Sequence, residues 1–274
     1  MSDIPNPKSQ IPNWFSRYAK TLSRFWSAAI AVEAEYRINF VMAGITSAVT
    51  LAGAIGTLAV LYQHGYEMGG WSWNEAMLVV AVYTLLDGLQ RAVMAPNRQA
   101  ISQLVREGTL DFVLLKPVDA QFWLSVRRLS VWGLPDLVLG FGLVVYAGVQ
   151  LGLGPGQFLA GVVPVALAIG ILYALGYALA TLTVWVTKAD NITIAMQSLL
   201  EAGRYPVPAY AAAYRVALTF VVPVAFMTTV PAGVMTGRFG WGWVAAAACV
   251  AVGLLVGCRW FWRFALRSYT SASS

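Results

Sequence analysis

The sequence predicts an all-α integral membrane protein of six transmembrane helices, with an amphipathic helix at the membrane interface before the first of them. Three observations carry that expectation. Hydrophobic residues make up 59% of the chain and charged residues 11%, with a mean hydropathy of +0.66; a soluble domain of 274 residues has no interior large enough to hide so much apolar surface. Charge-free runs recur at the length, roughly 20 residues, that crosses a hydrocarbon core about 30 Å thick. The basic residues, finally, concentrate in alternate connections between those runs.

Residues 1–38 form an N-terminal segment without the short apolar core and small-residue cleavage site of a signal peptide, so no cleaved signal is expected and the first span serves as its own. Within it, WFSRYAKTLSRFWSAAI at 14–30 is amphipathic at helical period. Trp14, Phe15, Tyr18, Leu22, Phe25 and Trp26 fall in one arc, and Arg17, Lys20 and Arg24 lie opposite. Such a helix rests in the interface with its apolar face down, as a surface anchor or as a collar around a moving domain.

The transmembrane domain is expected over 39–268, followed by a tail at 269–274. A first span covers about 40–62 and a second about 75–95, the latter interrupted by Asp87 and Arg91. No charge occurs between Asp136 and Lys188, a run too long for one helix. LGLGPGQ at 151–157 supplies the Gly/Pro break that divides it into spans at about 129–150 and 158–187. The fifth is expected at about 209–230 and the sixth at about 241–264.

Basic residues resist translocation and so mark the cytoplasmic side. Lys8, Arg17, Lys20, Arg24 and Arg37 precede the first span. Arg98, Arg106, Lys116, Arg127 and Arg128 follow the second, Lys188, Arg204 and Arg215 surround the fourth-to-fifth connection, and Arg259, Arg263 and Arg267 close the chain. Only Arg238 falls on the other side. Both termini are therefore expected in the cytoplasm of a cell with this chain in its inner (plasma) membrane, and the net charge of +6 is a topology signal with no nucleic-acid partner implied. Cys249 and Cys258, nine residues apart on one helix, cannot reach disulfide geometry. With His64 as the only histidine, no metal site is expected.

The connection at 96–128 is the most informative cytoplasmic segment. An amphipathic helix over about 97–107, ending at Glu107, stops at Gly108, a suitable residue just past a helix end. In EGTLDFVLLKPVDAQF (107–122), Thr109 is placed to cap a new short helix, with Asp111 in its first turn, where the dipole favours negative charge. Leu110, Val113 and Leu114 share a face, Pro117 ends the turn, and Asp119 is placed to cap the third span. Asp111 and Lys116 are then available to a soluble partner. The alternative is an ordinary loop helix.

This stretch, together with EAEYRINF at 33–40, EAGRYPV at 201–207, FVVPVAFMTTVPAG at 220–233 and the terminal FALRSYTSASS, resembles the ABC-2-type permease subunits of ATP-binding-cassette transporters. The closer likeness is to the branch encoded beside a second permease and a separate ATPase. The resemblance implies a type V exporter-like half-transporter, six spans with an N-terminal interfacial helix, whose loop between spans two and three is a coupling helix seated in a cleft of the nucleotide-binding subunit. The chain contains no G-x-x-x-x-G-K-[ST] run, so no cofactor is expected on this chain, and ATP and Mg are expected on the partner ATPase. Six helices make a thin bundle, and a second permease, identical or paralogous, is expected beside lipid. Pro223 and Pro231 leave open a re-entrant hairpin between spans five and six.

Charge at membrane depth is costly, so each instance is a candidate site. Asp87 and Arg91 are one turn apart and can pair. Asp136 has no evident partner in its own span; the partner subunit, Arg127 or Arg128, or a polar cavity are the alternatives. Glu201 and Arg204 are expected on a cytoplasmic helix, as a second ATPase contact or a surface pair. The rival readings are an ion-coupled secondary transporter, which usually shows internal repeats not evident here, and a membrane-embedded enzyme, for which no convergent nucleophile and base are present.

Overall fold

The computed structural model describes residues 26–27, 37–66, 68–186 and 190–269. Of the interfacial helix expected over 14–30, only Trp26 and Ser27 belong to that set. Both are helical, and the Trp26 indole N–H donates to the Val126 carbonyl at 3.2 Å. The rest of that helix, and the tail beyond Tyr269, lie outside the described residues.

The described residues are helical, with no strand among them. Helix α1 is Arg37–Gln63. Ala43, Ser47, Ala54 and Leu58, spaced four, seven and four apart, form its buried stripe, while Val41, Ile45, Val49 and Val60 face outward, the split expected where one side meets protein and the other lipid. After a turn in which Gly65, Gly69 and Gly70 all have positive φ, Ser72 and Glu75 close a capping box that satisfies amide groups left open at the start of α2, Trp73–Leu89.

Helix α2 does not stop at 95. It passes through a π-helical turn, Gln90–Met94, into α3, Ala95–Arg106, so the loop helix expected over 97–107 is the continuation of the second span. Pro96 explains the turn, because it has no N–H to give the Ala92 carbonyl. That carbonyl instead accepts from the Ser130 amide at 2.7 Å. Beside it, Asn97 accepts from the Arg128 amide at 2.9 Å and donates to the Arg128 carbonyl at 2.8 Å. A break in one helix thereby becomes the anchor for the far end of the following loop.

Between them lie α4, Asp111–Leu114, and α5, Ala120–Val126, before a single 3₁₀ turn, Val131–Gly133, opens α6, Leu134–Gln150. Helix α6 packs on α2 with the backbones almost touching. A Cβ on Gly133 would lie 2.3 Å from the Gly88 carbonyl oxygen, one on Gly88 2.6 Å from the Leu137 nitrogen, and one on Gly140 2.5 Å from the Leu85 nitrogen. Small residues are what allow helices in lipid, where no hydrophobic drive brings them together, to gain from close packing. Helix α7, Pro155–Thr181, starts after a tight turn at Gly152 and packs along its length on the last helix, α12, Trp241–Ser268.

Five stretches among the described residues are long and apolar enough to cross a membrane: Phe40–Gln63, Trp73–Arg106, Val131–Gln150, Pro155–Val184 and Trp241–Ser268. The single helix expected over 209–230 does not form. In its place are α9, Ala212–Val216, a π-helical turn at Ala217–Val221, α10, Val224–Met227, and α11, Thr229–Met235, broken at Pro223, whose nitrogen cannot donate.

The bundle has a hairpin end, formed by 64–66, 68–72, 151–154 and 236–240, and a loop end, formed by 107–130 and 182–186. Helix α8, Asp190–Glu201, buries Met196 and Leu200 among Val82, Leu86, Ile171 and Leu172. The chain beyond it reaches the hairpin end, where a Cβ on Gly69 would lie 2.6 Å from Pro208. Helix α11 finishes at that same end, its Met235 side chain filling the space left by Gly161. Residues 208–236 thus leave and return to one end of the bundle, with Val224 and Thr228 packed on Gly203 and the Val207 amide bonded to Thr229 at 3.1 Å.

Candidate functional site

The loop end is assembled from the last turns of α3, α7 and α12. Helix α3 ends at Gly108, φ +64°, with the Thr109 amide bonded to the Leu104 carbonyl at 3.0 Å and the Gly108 amide to Val105 at 3.2 Å. This is a Schellman closure, which needs the left-handed conformation that glycine adopts without steric cost. It turns the chain across the bundle end. Helix α4 follows with Asp111 in its first turn, but Thr109 is not its cap: its hydroxyl has no hydrogen-bond partner and α4 begins without a side-chain cap. Glu107 is exposed and accepts from Gln103 at 2.8 Å.

The two faces of α4 have opposite fates. Leu110 and Val113 are buried with Ile101, Leu124, Tyr177, Cys258 and Trp262. Phe112 and Leu115 stand 71% and 82% exposed, outside the five apolar stretches. Leu114, expected on the packed face, is 37% exposed, since a helix of one turn cannot bury three residues on one side. Lys116 lies over the Trp123 ring, 4.4 Å from its centre, held by cation–π attraction.

Asp119 caps α5 rather than the third span, accepting from the Phe122 amide at 2.9 Å. It also forms a bidentate pair with Arg259 of α12, whose guanidinium donates as well to Gln121 at 2.9 Å. The Arg259 hydrogen bond holds the Asp119 carboxyl below the usual carboxylate range, with the Phe122 amide adding to it and burial opposing. Gln121 in turn donates to the Tyr173 hydroxyl at 3.2 Å. A displacement of α4 or α5 is therefore passed to α7 and α12 through packed side chains and directed bonds.

A second polar cluster lies deeper. Arg91, on the π-helical turn, donates to Asp87 at 2.5 Å and stands 3.3 Å from Asp136 at the start of α6. Both carboxylate side chains are only 6% exposed. Asp136 therefore finds its partner within the same chain, and two buried carboxylates share one guanidinium. Glu201 and Arg204 are elsewhere. The Arg204 guanidinium donates to the Tyr83 hydroxyl at 2.9 Å and lies over that ring, with Glu201 at 3.8 Å. Tyr83 is 23 residues from Arg106, roughly 35 Å along the helix at 1.5 Å per residue. The structure does not bring Glu201 and Arg204 together with α4.

The family model of the ABC-2 family transporter protein matches residues 48–273. The chain belongs to the ABC-2 transporter family. No curated protein and no solved structure matches it. Members of the family are the membrane component of ABC transporters, which fits the buried stripe of α1, the five apolar helices and a transport role. No group of three or more metal-ligating side chains occurs among the described residues.

Three features of this ABC-2 protein were not visible in its sequence. Phe112 and Leu115 read as two more apolar residues in an apolar stretch, and only their exposure separates them from Leu110. Arg259 reads as a positive charge at a helix end. Its carboxylate is 140 positions away, and no local pattern links the two. Arg98 reads as a loop cation, whereas it is 4% exposed within the bundle.

Proposed function

We propose that the chain is the pathway-forming permease subunit of an ABC exporter, driven by ATP hydrolysis with Mg on a separate nucleotide-binding subunit, and that α4 is its coupling helix. The observation that carries this reading is the pair Phe112 and Leu115, two large apolar side chains 71% and 82% exposed at an end of the bundle outside the apolar stretches. Aromatic and aliphatic residues exposed on a rigid support are the anchors that partner pockets bind. Asp111 and Lys116 flank them and orient the contact.

In this reading the chain lies in the inner (plasma) membrane with both termini and the loop end in the cytoplasm. Residues 190–210 make a fifth crossing as a short helix and an irregular segment, Trp241–Ser268 is the sixth, and 212–235 is a re-entrant hairpin. A second permease, identical or paralogous, completes the pathway, and amphipathic, lipid-like or peptide cargo suits its apolar walls. The Asp87–Arg91–Asp136 cluster holds α2 to α6 and has no catalytic part.

The test is capture and stimulation of the cognate ATPase at matched permease levels. Phe112→Asp with Leu115→Asp replaces both exposed apolar side chains by carboxylates, so capture falls by about tenfold or more for the pair while membrane abundance holds. Capture and turnover equal to wild type would refute the assignment of α4.

A further inference from the structure

Arg98 is buried in the bundle, 4% exposed, and its three guanidinium nitrogens have no hydrogen-bond partner among the described residues. No carboxylate among the described residues pairs with it. A guanidinium keeps its proton in proteins, so the charge itself must be compensated. The side chain faces a small cavity between α3, α5 and α7, lined by Asn97, Ser125, Tyr173 and Tyr177 with Met94, Ile101 and Leu124. Gly176 makes the placement possible: a Cβ there would stand 3.0 Å from Arg98 Nη1.

The hydrogen-bonding inventory of the lining decides what fits. Asn97 is committed, donating to Val93 and Arg128 and accepting from the Arg128 amide. Ser125 is bonded to the Gln121 carbonyl and to the Tyr173 hydroxyl. The groups left without partners are the Arg98 guanidinium, which can only donate, and the Tyr177 hydroxyl, which can donate or accept. A water placed between them could accept from Arg98 and donate to Tyr177, but it would leave the guanidinium charge uncompensated. A cation has no ligand there. The cavity gives the centre of a water-sized particle about 20 Å³ and is not fully closed; with one guanidinium and one hydroxyl as donors it suits a monatomic anion, whereas a tetrahedral oxyanion would set most of its oxygens against groups that cannot donate to them.

We propose that a monatomic anion, chloride in the cell, binds between Arg98 and Tyr177 and ties α3 to α5 and α7. The site does not depend on the transport reading, since it rests on packing within this chain alone.

Full-length protein purified in detergent and exchanged into sodium gluconate is titrated with sodium chloride, sodium bromide or sodium sulfate at constant ionic strength. The melting temperature of the wild type rises saturably with either halide and not with sulfate. Arg98→Met, which keeps the stem and removes the charge, loses the response. Gly176→Ala shifts the half-maximal halide concentration upward by displacing the guanidinium. A wild type indifferent to halide, or an equal response in wild type and Arg98→Met, overturns the proposal. A response to sulfate in place of halide assigns the site to a phosphate-like group, free or on a lipid headgroup, and overturns the halide. Should Arg98→Met fail to fold, bromide anomalous diffraction from wild-type crystals decides: a peak within hydrogen-bonding reach of Arg98 and Tyr177 is expected, and its absence is fatal.

Discussion

Asp119 does three things at once, capping α5, holding Arg259 and fixing the short helices to α12. Its folded-state pKa lies below the ordinary aspartate value near about 3.9. The sign follows from linkage: a lowered carboxylate stabilises the fold above the unfolded pKa and loses that contribution as pH falls through the folded one. Asp119→Asn therefore melts lower than wild type at pH 7, and the two melting curves converge in acid, below the native pKa of Asp119. Melting temperature against pH in detergent checks this; a constant gap down to the acid limit would mean that the cap and the packing, not the charge, carry the effect. The same residue marks a limit of legibility. Asp before an apolar run is a readable cap, but the Arg259 partner is supplied by tertiary packing.

Among the elements, the contact between α2 and α6 is the tightest, and its glycines are not equivalent. A Cβ on Gly140 would meet the Leu85 backbone at 2.5 Å, whereas Gly142, two residues on, has nothing within 4 Å. Backbone atoms cannot step aside as a side-chain tip can, so Gly140→Val separates the helices and costs about 1–3 kcal/mol or more. Gly142→Val faces open space and leaves stability near wild type. Thermal unfolding of the two variants measures the difference, and equal losses would show that glycine matters there for helix flexibility and not for close approach. Sequence could read α6 as apolar and Gly-rich, but which glycines face α2 depends on the rotation of the helix, which packing sets.

On the scale of the whole molecule, the path of residues 190–236 separates two architectures. A single span over 209–230 starting in the cytoplasm puts Ala209 at the loop end. The contacts of Pro208 with Gly69 and of Met235 with Gly161 put it at the hairpin end. With Cys249 and Cys258 replaced by alanine, Ala209→Cys and Gly156→Cys react with an impermeant maleimide in intact cells, and Glu107→Cys reacts only after permeabilisation. Labelling of Glu107→Cys in intact cells would invert the orientation. Protection of Ala209→Cys alongside labelled Gly156→Cys would restore the single span.

Hydropathy by itself determined that the chain belongs in a membrane and where five apolar helices run, because lipid demands long charge-free stretches whatever their neighbours. The Gly108 stop and the acidic first turn at Asp111 were equally local, since a cap involves residues within one turn of each other. Tertiary structure decided the rest. A broken hairpin and a crossing helix bury similar apolar surface, so composition over 209–230 could not distinguish them. The partners of Asp136 and Arg204, the exposure of Phe112 and Leu115 and the burial of Arg98 depend on which helix faces which, and that is fixed by close packing between segments far apart in the chain.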